Sequence, residues 1–344
     1  MIKCFLFVFL VSMTTALDEH DCRKSSTHPN VCEYMAHFHK QYSNHTELNL
    51  RSKHILAVEK VHIDGVHFGH TSRSDRFKHE LARNSLLSVH KAGQPRHPDN
   101  EHKQLTAPYT LPPIDWRDIN GVSFVTDVKY QGDCGGCYAF AAATVLEYWS
   151  RKHGFPKSIS VQHLLDCTSD TSDAPNDGCD GGLMEYVYQY GTQGAVVLEN
   201  QQPFSGLDMT CPAGDILSHV AVSNWKVIER ETFGSLAEHE LEKILHQYGP
   251  VSVGVDSTNW DNYKSGIFKH TMCSRDIDHA VTIVGYTPKA WIIKNSWGND
   301  WGDNGYLYLE RGHNACGVTE YMTYVTQASP ISEKRTSKLQ WLGP

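Results

Sequence analysis

Beyond its first sixteen residues this chain of 344 has no long apolar run and no excess of positive charge. Lys and Arg number 31 against 39 Asp and Glu, a formal net charge of −8 with His neutral. Such a balance offers no basic surface for phosphates, so nucleic acid is not expected as a partner. No later stretch reaches the ~18 apolar residues that a bilayer-crossing helix needs, so no membrane span is expected. Internal repeats and low-complexity tracts are also missing. A single N-x-[ST] triplet, Asn44-His45-Thr46, marks Asn44 as the one candidate glycan site.

What is present begins with "MIKCFLFVFLVSMTTA": Lys3, an apolar run, then small residues. This reads as a secretory signal over 1–16, followed by the polar "LDEHD", and not as a buried first helix. The remainder is expected to mature in the oxidising secretory pathway, bound for the lysosome or the cell exterior. Ten cysteines follow from that compartment. Cys4 leaves with the signal, and Cys22 and Cys32 lie close enough to pair locally. Seven remain from Cys134 onward, an odd number, so one thiol is left over. Residues 131–140, "QGDCGGCYAF", place two cysteines three positions apart. By spacing alone they are a redox dithiol, half of a zinc site, or two cysteines with separate roles.

Composition divides the chain. Residues 17–112 hold 13 of the 21 histidines, with 13 basic and 11 acidic residues, whereas from Pro113 onward 17 basic face 28 acidic residues. The stretch 92–113 is rich in proline and polar residues and reads as a linker. Before it, 46–63 and 75–91 have helical periodicity. In the main unit "CYAFAAATVLEYWSRK", starting at Cys137, is apolar on most faces, as a helix in the middle of a domain would be. Later come "PVSVGVD", "HAVTIVGY", "AWIIKNSW" and "GYLYLER", β-branched, aromatic and bounded by Gly, Pro and Asn. Helices first and strands later predict an α+β arrangement in two parts. The last residues, 326–344, read as an unpacked tail.

A cysteine at the start of a buried helix is chemically distinct. The helix dipole and the unpaired N–H groups there favour the thiolate. A thiolate nucleophile needs a proton-transferring partner, and that partner needs an orienting group. Of eight histidines in the main unit, His279 heads a strand-like apolar run where it is held rigidly. Asn295 ends the next strand and is placed to accept the imidazole Nδ1–H, with Trp297 as a cover against water.

In this combination and order, "QGDCGGCYAF", "GCDGG", "DHAVTIVGY" and "KNSWGNDWGDNGY" resemble the papain-family (cathepsin L-like) cysteine protease precursors. The family signature is C-G-[SA]-C-[WY] with His and Asn ~130–150 residues downstream. Here they lie 142 and 158 residues after Cys137. The resemblance runs from about Pro113 to Val325, and more loosely over the pro-region. It implies a two-domain α+β fold, helical over about 113–220 and β-barrel-like over about 221–325, with the active-site cleft between. Residues 17–112 would be an inhibitory propeptide and linker.

Carried over by position, the resemblance implies Cys137 as nucleophile, His279 as general acid/base, Asn295 as its orienting amide and Gln131 as oxyanion donor. It implies the pairs Cys134–Cys179, Cys167–Cys211 and Cys273–Cys316. Gly181 and Gly182 match the backbone that pairs with substrate. Leu183, Met184, Gly254, Ala280 and Tyr321 match the walls of the pocket for the substrate residue second from the cut. Such walls imply a hydrophobic preference there, and Trp297 borders the same cleft. Protein or peptide substrates, the chain's own propeptide and cystatin-like inhibitors are the implied partners of a monomer that needs no cofactor or metal.

Three positions depart from the pattern: Gly136 replaces Ser or Ala, Tyr138 the commoner Trp, and Ala141 the usual Ser. In the pro-region Glu47, Arg51 and Ile55 keep the family's first spaced positions, but the asparagines that should follow are missing. Two other readings stay open: a catalytically impaired homologue acting as a binding or scaffold protein, and a C-x-x-C thiol oxidoreductase in which Cys134 pairs with Cys137.

Overall fold

The structure, a computed structural model, describes residues 16–24, 29–58, 61–74, 76, 111–169, 176–193, 196–212 and 216–336. The expected signal, nearly all of the 75–91 helix and most of the 92–113 linker lie outside the described residues.

Three short helices, α1 (Glu19–Lys24), α2 (Pro29–His37) and α3 (His45–Val58), open the described chain. They pack Val31, Tyr34, Met35, Leu48 and Ile55 around the Cys22–Cys32 disulfide. Asn44 begins α3 by accepting the Glu47 N–H at 3.0 Å. Glu47 accepts from Ser43 N at 2.8 Å and from Arg51 Nε at 2.9 Å, which is what that Glu and Arg, four apart, are for. The chain then forms strand β1 (Val66–Phe68).

The main unit starts with β2 (Ile114–Asp115) and then α4 (Cys137–Lys152). Every residue of α4 from Cys137 to Ser150 is buried, because small and apolar side chains cover all its faces. Helices α5 (Val161–Cys167) and α6 (Met184–Thr192) pack around it. Next come β3 (Ile216–Glu229), α7 (Ala237–Tyr248), β4 (Val251–Val255), β5 (Tyr263–Phe268), β6 (His279–Tyr286), β7 (Ala290–Lys294), β8 (Tyr306–Glu310) and β9 (Tyr321–Thr336). The sheet order is β1-β5-β8-β7-β6-β4-β9-β3, with β2 also on β6. Among the described strands only the β5–β8 pair is parallel. Two cores result, one around α4 and one inside the sheet under α7. Strands β4, β6 and β7 are buried throughout, so they read as continuous apolar runs without alternation.

The four strands expected from sequence are β4, β6, β7 and β8. Others went unrecognised. Strand β3, "ILSHVAVSNWKVIE", mixes Ser, His, Asn and Lys into its apolar residues and pairs with β9, about a hundred residues away. The expected tail at 326–344 needs correction: residues 326–336 continue β9 along β3, with Ala328 buried, and 337–344 lie outside the described residues. Pro330 sits beside a register shift of the β3–β9 ladder, where its missing N–H is tolerated. Helix α7 also falls in the half expected to be strands.

Two edges of this assembly matter for the site. The N-terminus of α4 abuts the start of β6, where Thr282 Oγ1 donates to Ala141 O at 3.0 Å. At the other edge β1, from the pro-region, adds antiparallel to β5 with Val66 opposite Gly266.

Candidate active site

Cys137 is the first residue of α4, and its preceding Gly136 offers no side-chain cap, so the N–H groups of Cys137 and Tyr138 are left to the Cys137 sulfur. The structure joins Cys22–Cys32, Cys134–Cys179, Cys167–Cys211 and Cys273–Cys316. Cys137 is the one described cysteine outside a disulfide. Because Cys134 is bonded to Cys179, the thiol oxidoreductase reading is excluded. The two cysteines of "CGGC" have separate roles.

The Cys137 thiol is fully buried, and burial pushes it up to about 12 against the pull of the Ala280 N–H. His279, at the head of β6, is likewise buried and pushed down to about 3 by desolvation, opposed by its bond to Asn295 and reinforced by the Arg73 charge. Both shifts favour the neutral thiol and the neutral imidazole in this buried setting. Asn295 Oδ1 meets the imidazole at 2.8 Å, through Nε2 and not the expected Nδ1. Asn295 Oδ1 also accepts the Ser296 N–H at 2.8 Å, so it is an acceptor and the proton must lie on Nε2. Nδ1 is thereby left as the bare lone pair, and it has no hydrogen-bond partner. The Trp297 ring stacks on His279 at 5.0 Å between centroids and 27° between planes, with Trp260 edge-on at 6.5 Å.

Gln131 is completely buried. Its Nε2 donates to Cys134 O at 2.8 Å, its Oε1 accepts from Ser296 Oγ, and its backbone N–H donates to Ser296 O at 2.9 Å. Ser296 therefore ties the Gln131 loop to the residue that follows β7, Asn295. Sequence reasoning missed it, and its only signal was adjacency to Asn295.

The glycine and pocket residues fall around this centre. Gly181 has φ 125°, and a Cβ on Gly182 would stand 2.4 Å from Asn176 Oδ1 and 2.8 Å from Tyr138 Cε1. Glycine is required at both. The Tyr138 hydroxyl reaches Gly178 O at 3.2 Å, so tyrosine here anchors the "GCDGG" loop. Leu183, Met184, Ala280 and Tyr321 belong to the same buried cluster as α4, and Gly254 pairs with Ala280 across β4 and β6. Tyr321 is buried beside Glu185, a carboxyl that burial pushes up to about 7, and its Oη has no hydrogen bond of ordinary geometry.

Gly136 also has a structural reason. Its φ is an ordinary −77°, but a Cβ would meet Leu165 Cδ1 at 2.8 Å. The bulk of α5 fills the space that a serine or alanine would take. Gly136→Ala should therefore destabilise the fold by about 1–2 kcal/mol in urea unfolding, and adding Leu165→Val should recover part of that loss.

Beneath the site lies a buried charged network on α4. Glu147 accepts from Lys129 Nζ at 2.9 Å, Ser158 Oγ at 3.1 Å, Ile159 N at 2.9 Å and Thr126 Oγ1. Lys294, the residue before Asn295, donates to Thr126 Oγ1 at 3.0 Å. Away from the cleft, His270, Glu310 and His313 bring ligand-type atoms within 4.8 Å of one another, the one such group found among the described residues. His270 Nδ1 already bonds Glu310 Oε2 there at 2.6 Å. No described helix is long and apolar enough to cross a membrane.

A cysteine at a helix start facing a His–Asn pair across two cores is the arrangement of a thiol-dependent hydrolase. The papain family cysteine protease model matches residues 111–326, and the chain belongs to that family. It is 35% identical over 224 residues to a viral cathepsin of Cydia pomonella granulosis virus, a match spanning 63% of this chain and 62% of that protein, under two thirds of its length. A cathepsin L of Sarcophaga peregrina is 29% identical over 348 residues, covering 92% of this chain and 97% of that protein. Among solved structures, the digestive procathepsin L 3 of Tenebrio molitor larval midgut superposes with a TM-score of 0.68 at 26% identity, over 86% of this chain and 98% of that one. The fold is papain-like, and the similarity to a proform includes the pro-region.

Proposed function

We propose that the chain is the precursor of a secreted or lysosomal cysteine endopeptidase, active as a monomer and held silent by its own residues 17–112. The observation that carries this reading is His279, whose Nε2–H is fixed on Asn295 and whose Nδ1 lone pair is left without a partner, while the N–H of the next residue, Ala280, reaches the buried thiol at the α4 start. Residues 1–16 would direct secretion, and a glycan would sit on the exposed Asn44.

Once the site is uncovered, the thiol transfers its proton to His279 Nδ1. The Cys137 sulfur attacks the peptide carbonyl carbon and a C–S bond forms. The Cys137 backbone N–H and Gln131 Nε2 receive the oxyanion. His279 gives its proton to the departing amine as the C–N bond breaks. It then takes a proton from water, which attacks the acyl-enzyme, breaks the C–S bond and restores the thiol. Asn295 orients the imidazole throughout. Gly181 and Gly182 would hold the substrate as an added strand. Leu183, Met184, Gly254, Ala280 and Tyr321 would favour a hydrophobic residue second from the cut, with Tyr321 limiting its depth. Cystatin-like proteins would compete for the same cleft.

The test is reaction with an epoxide-type thiol inhibitor. The processed protein should be modified at Cys137 alone at pH 5–7, while the intact precursor at the same pH stays unmodified, because burial holds its thiol protonated. Absence of modification in the processed protein, or modification elsewhere, sinks the reading and favours a binding or scaffold homologue.

A further inference from the structure

The pro-region segment after β1 lies on the loop that leads into β5. Gly69 N donates to Asn262 O at 2.9 Å, Thr71 Oγ1 to Asp261 O at 2.6 Å, and Ser74 Oγ to Asn262 Oδ1 at 2.6 Å. These bonds fix Arg73 between them. Its Nε donates to Asp261 Oδ1 at 2.8 Å, and its guanidinium carbon lies 3.8 Å from the centre of the Trp297 ring. Arg73 is 2% exposed. A guanidinium is buried so completely only where a carboxylate and an aromatic face replace its water. Arg76 then pairs with Asp133, in the loop that carries Gln131. Residues 69–74 thus lie on the β5 loop, and Arg76 reaches the loop that carries Gln131.

The location gives the contact its meaning. Trp297 is the same ring that stacks on His279. His279 hands its proton to the departing amine, so the wall next to it lies on the leaving-group side of the scissile bond. The loop bearing Asp261 is pinned from behind, since Trp301 Nε1 donates to Trp260 O at 2.9 Å and Tyr263 N to Trp260 O at 3.0 Å. Lys264, the cation at the start of β5 next to that loop, is engaged with Asp300 O at 2.8 Å. When the pro-region departs, a positioned carboxylate and an indole face remain beside the scissile bond.

We propose that Asp261 and the face of Trp297 form a subsite for an arginine side chain in the leaving-group part of a substrate, and that Arg73 is its occupant in the precursor. This deepens the protease reading and rests on it. A lysine fits less well, because a planar fork can stack on the indole and bond the carboxylate at once.

The experiment uses quenched fluorogenic peptides that differ at one of the first three leaving-side positions, carrying arginine or its neutral isostere citrulline. At one of these positions the processed enzyme should cleave the arginine peptide with kcat/KM about tenfold above the citrulline peptide, a ratio typical of a partly desolvated ion pair with a cation–π contact. In Asp261→Asn the ratio should fall to near one. Equal rates at all three positions, or a ratio that survives in Asp261→Asn, overturn the subsite while leaving the protease reading standing. If no peptide is cleaved and Cys137 resists the epoxide, the protease reading fails and the subsite falls with it.

Discussion

Cys137→Ser should leave a folded precursor that neither converts itself nor hydrolyses peptide, with kcat/KM at least about 10⁴-fold below the processed parent. The change replaces one atom, and the side chain is fully buried at the start of α4, so packing is nearly preserved. What is lost is the nucleophile. A hydroxyl ionises far less readily than a thiol, and His279, oriented only by a neutral amide, is a weak base for it. The check is parallel: near-ultraviolet circular dichroism and urea midpoint like the parent's, with incubation at acid pH yielding no processed band. A serine variant that still matures unaided would place the nucleophile elsewhere.

The largest expected effect on stability is at Glu147. In the Cys137→Ser background, Glu147→Gln should cost about 3–5 kcal/mol, because the buried Lys294 and the half-buried Lys129 then face an amide. Burial by itself raises the Glu147 carboxyl, but the two ammonium groups and the Thr126 and Lys129 hydrogen bonds outweigh it and hold the group below its ordinary 4.5. Lys294 is pushed down to about 8 by desolvation, which Glu147 only partly offsets. The signs give the pH dependence. A carboxyl depressed in the folded state contributes stability that is present above its unfolded value and lost as pH falls through its folded value. The parent should therefore lose stability below about pH 4.5, and Glu147→Gln should have a flatter acid limb. Lys294, lowered in the folded state, opposes folding while it must carry its charge, and that cost fades as pH rises above about 8. Urea unfolding from pH 3 to 9 reads both limbs. Joining Glu147→Leu to Lys294→Leu should recover part of the loss, as expected for a buried pair replaced by apolar side chains.

Both variants act on features with very different visibility. The leftover thiol was countable: seven cysteines from Cys134 onward cannot all pair, and Cys137 opens an apolar helix. His279 heads, and Asn295 directly follows, strands whose both-face burial produces unbroken β-branched runs, the easiest strands to read. Glu147 was hidden, since one acidic residue on a helix normally marks the solvent face. Its partners come from residues 126, 129, 158, 159 and 294, which nothing in the local pattern connects.

The α+β order, the helix that starts at Cys137 and the four apolar strands were legible in the sequence. These depend on side-chain type and short-range period, which a chain carries locally. Tertiary structure alone decided that His279 meets Asn295 through Nε2, that Ser296 holds Gln131, and that Leu165 occupies the space missing at Gly136. It alone made residues 326–336 a strand on β3 and set Arg73 on Asp261 and Trp297, 188 residues further on in the first case. Contacts at such separations arise when distant surfaces must share one buried volume, and no window of sequence contains both partners.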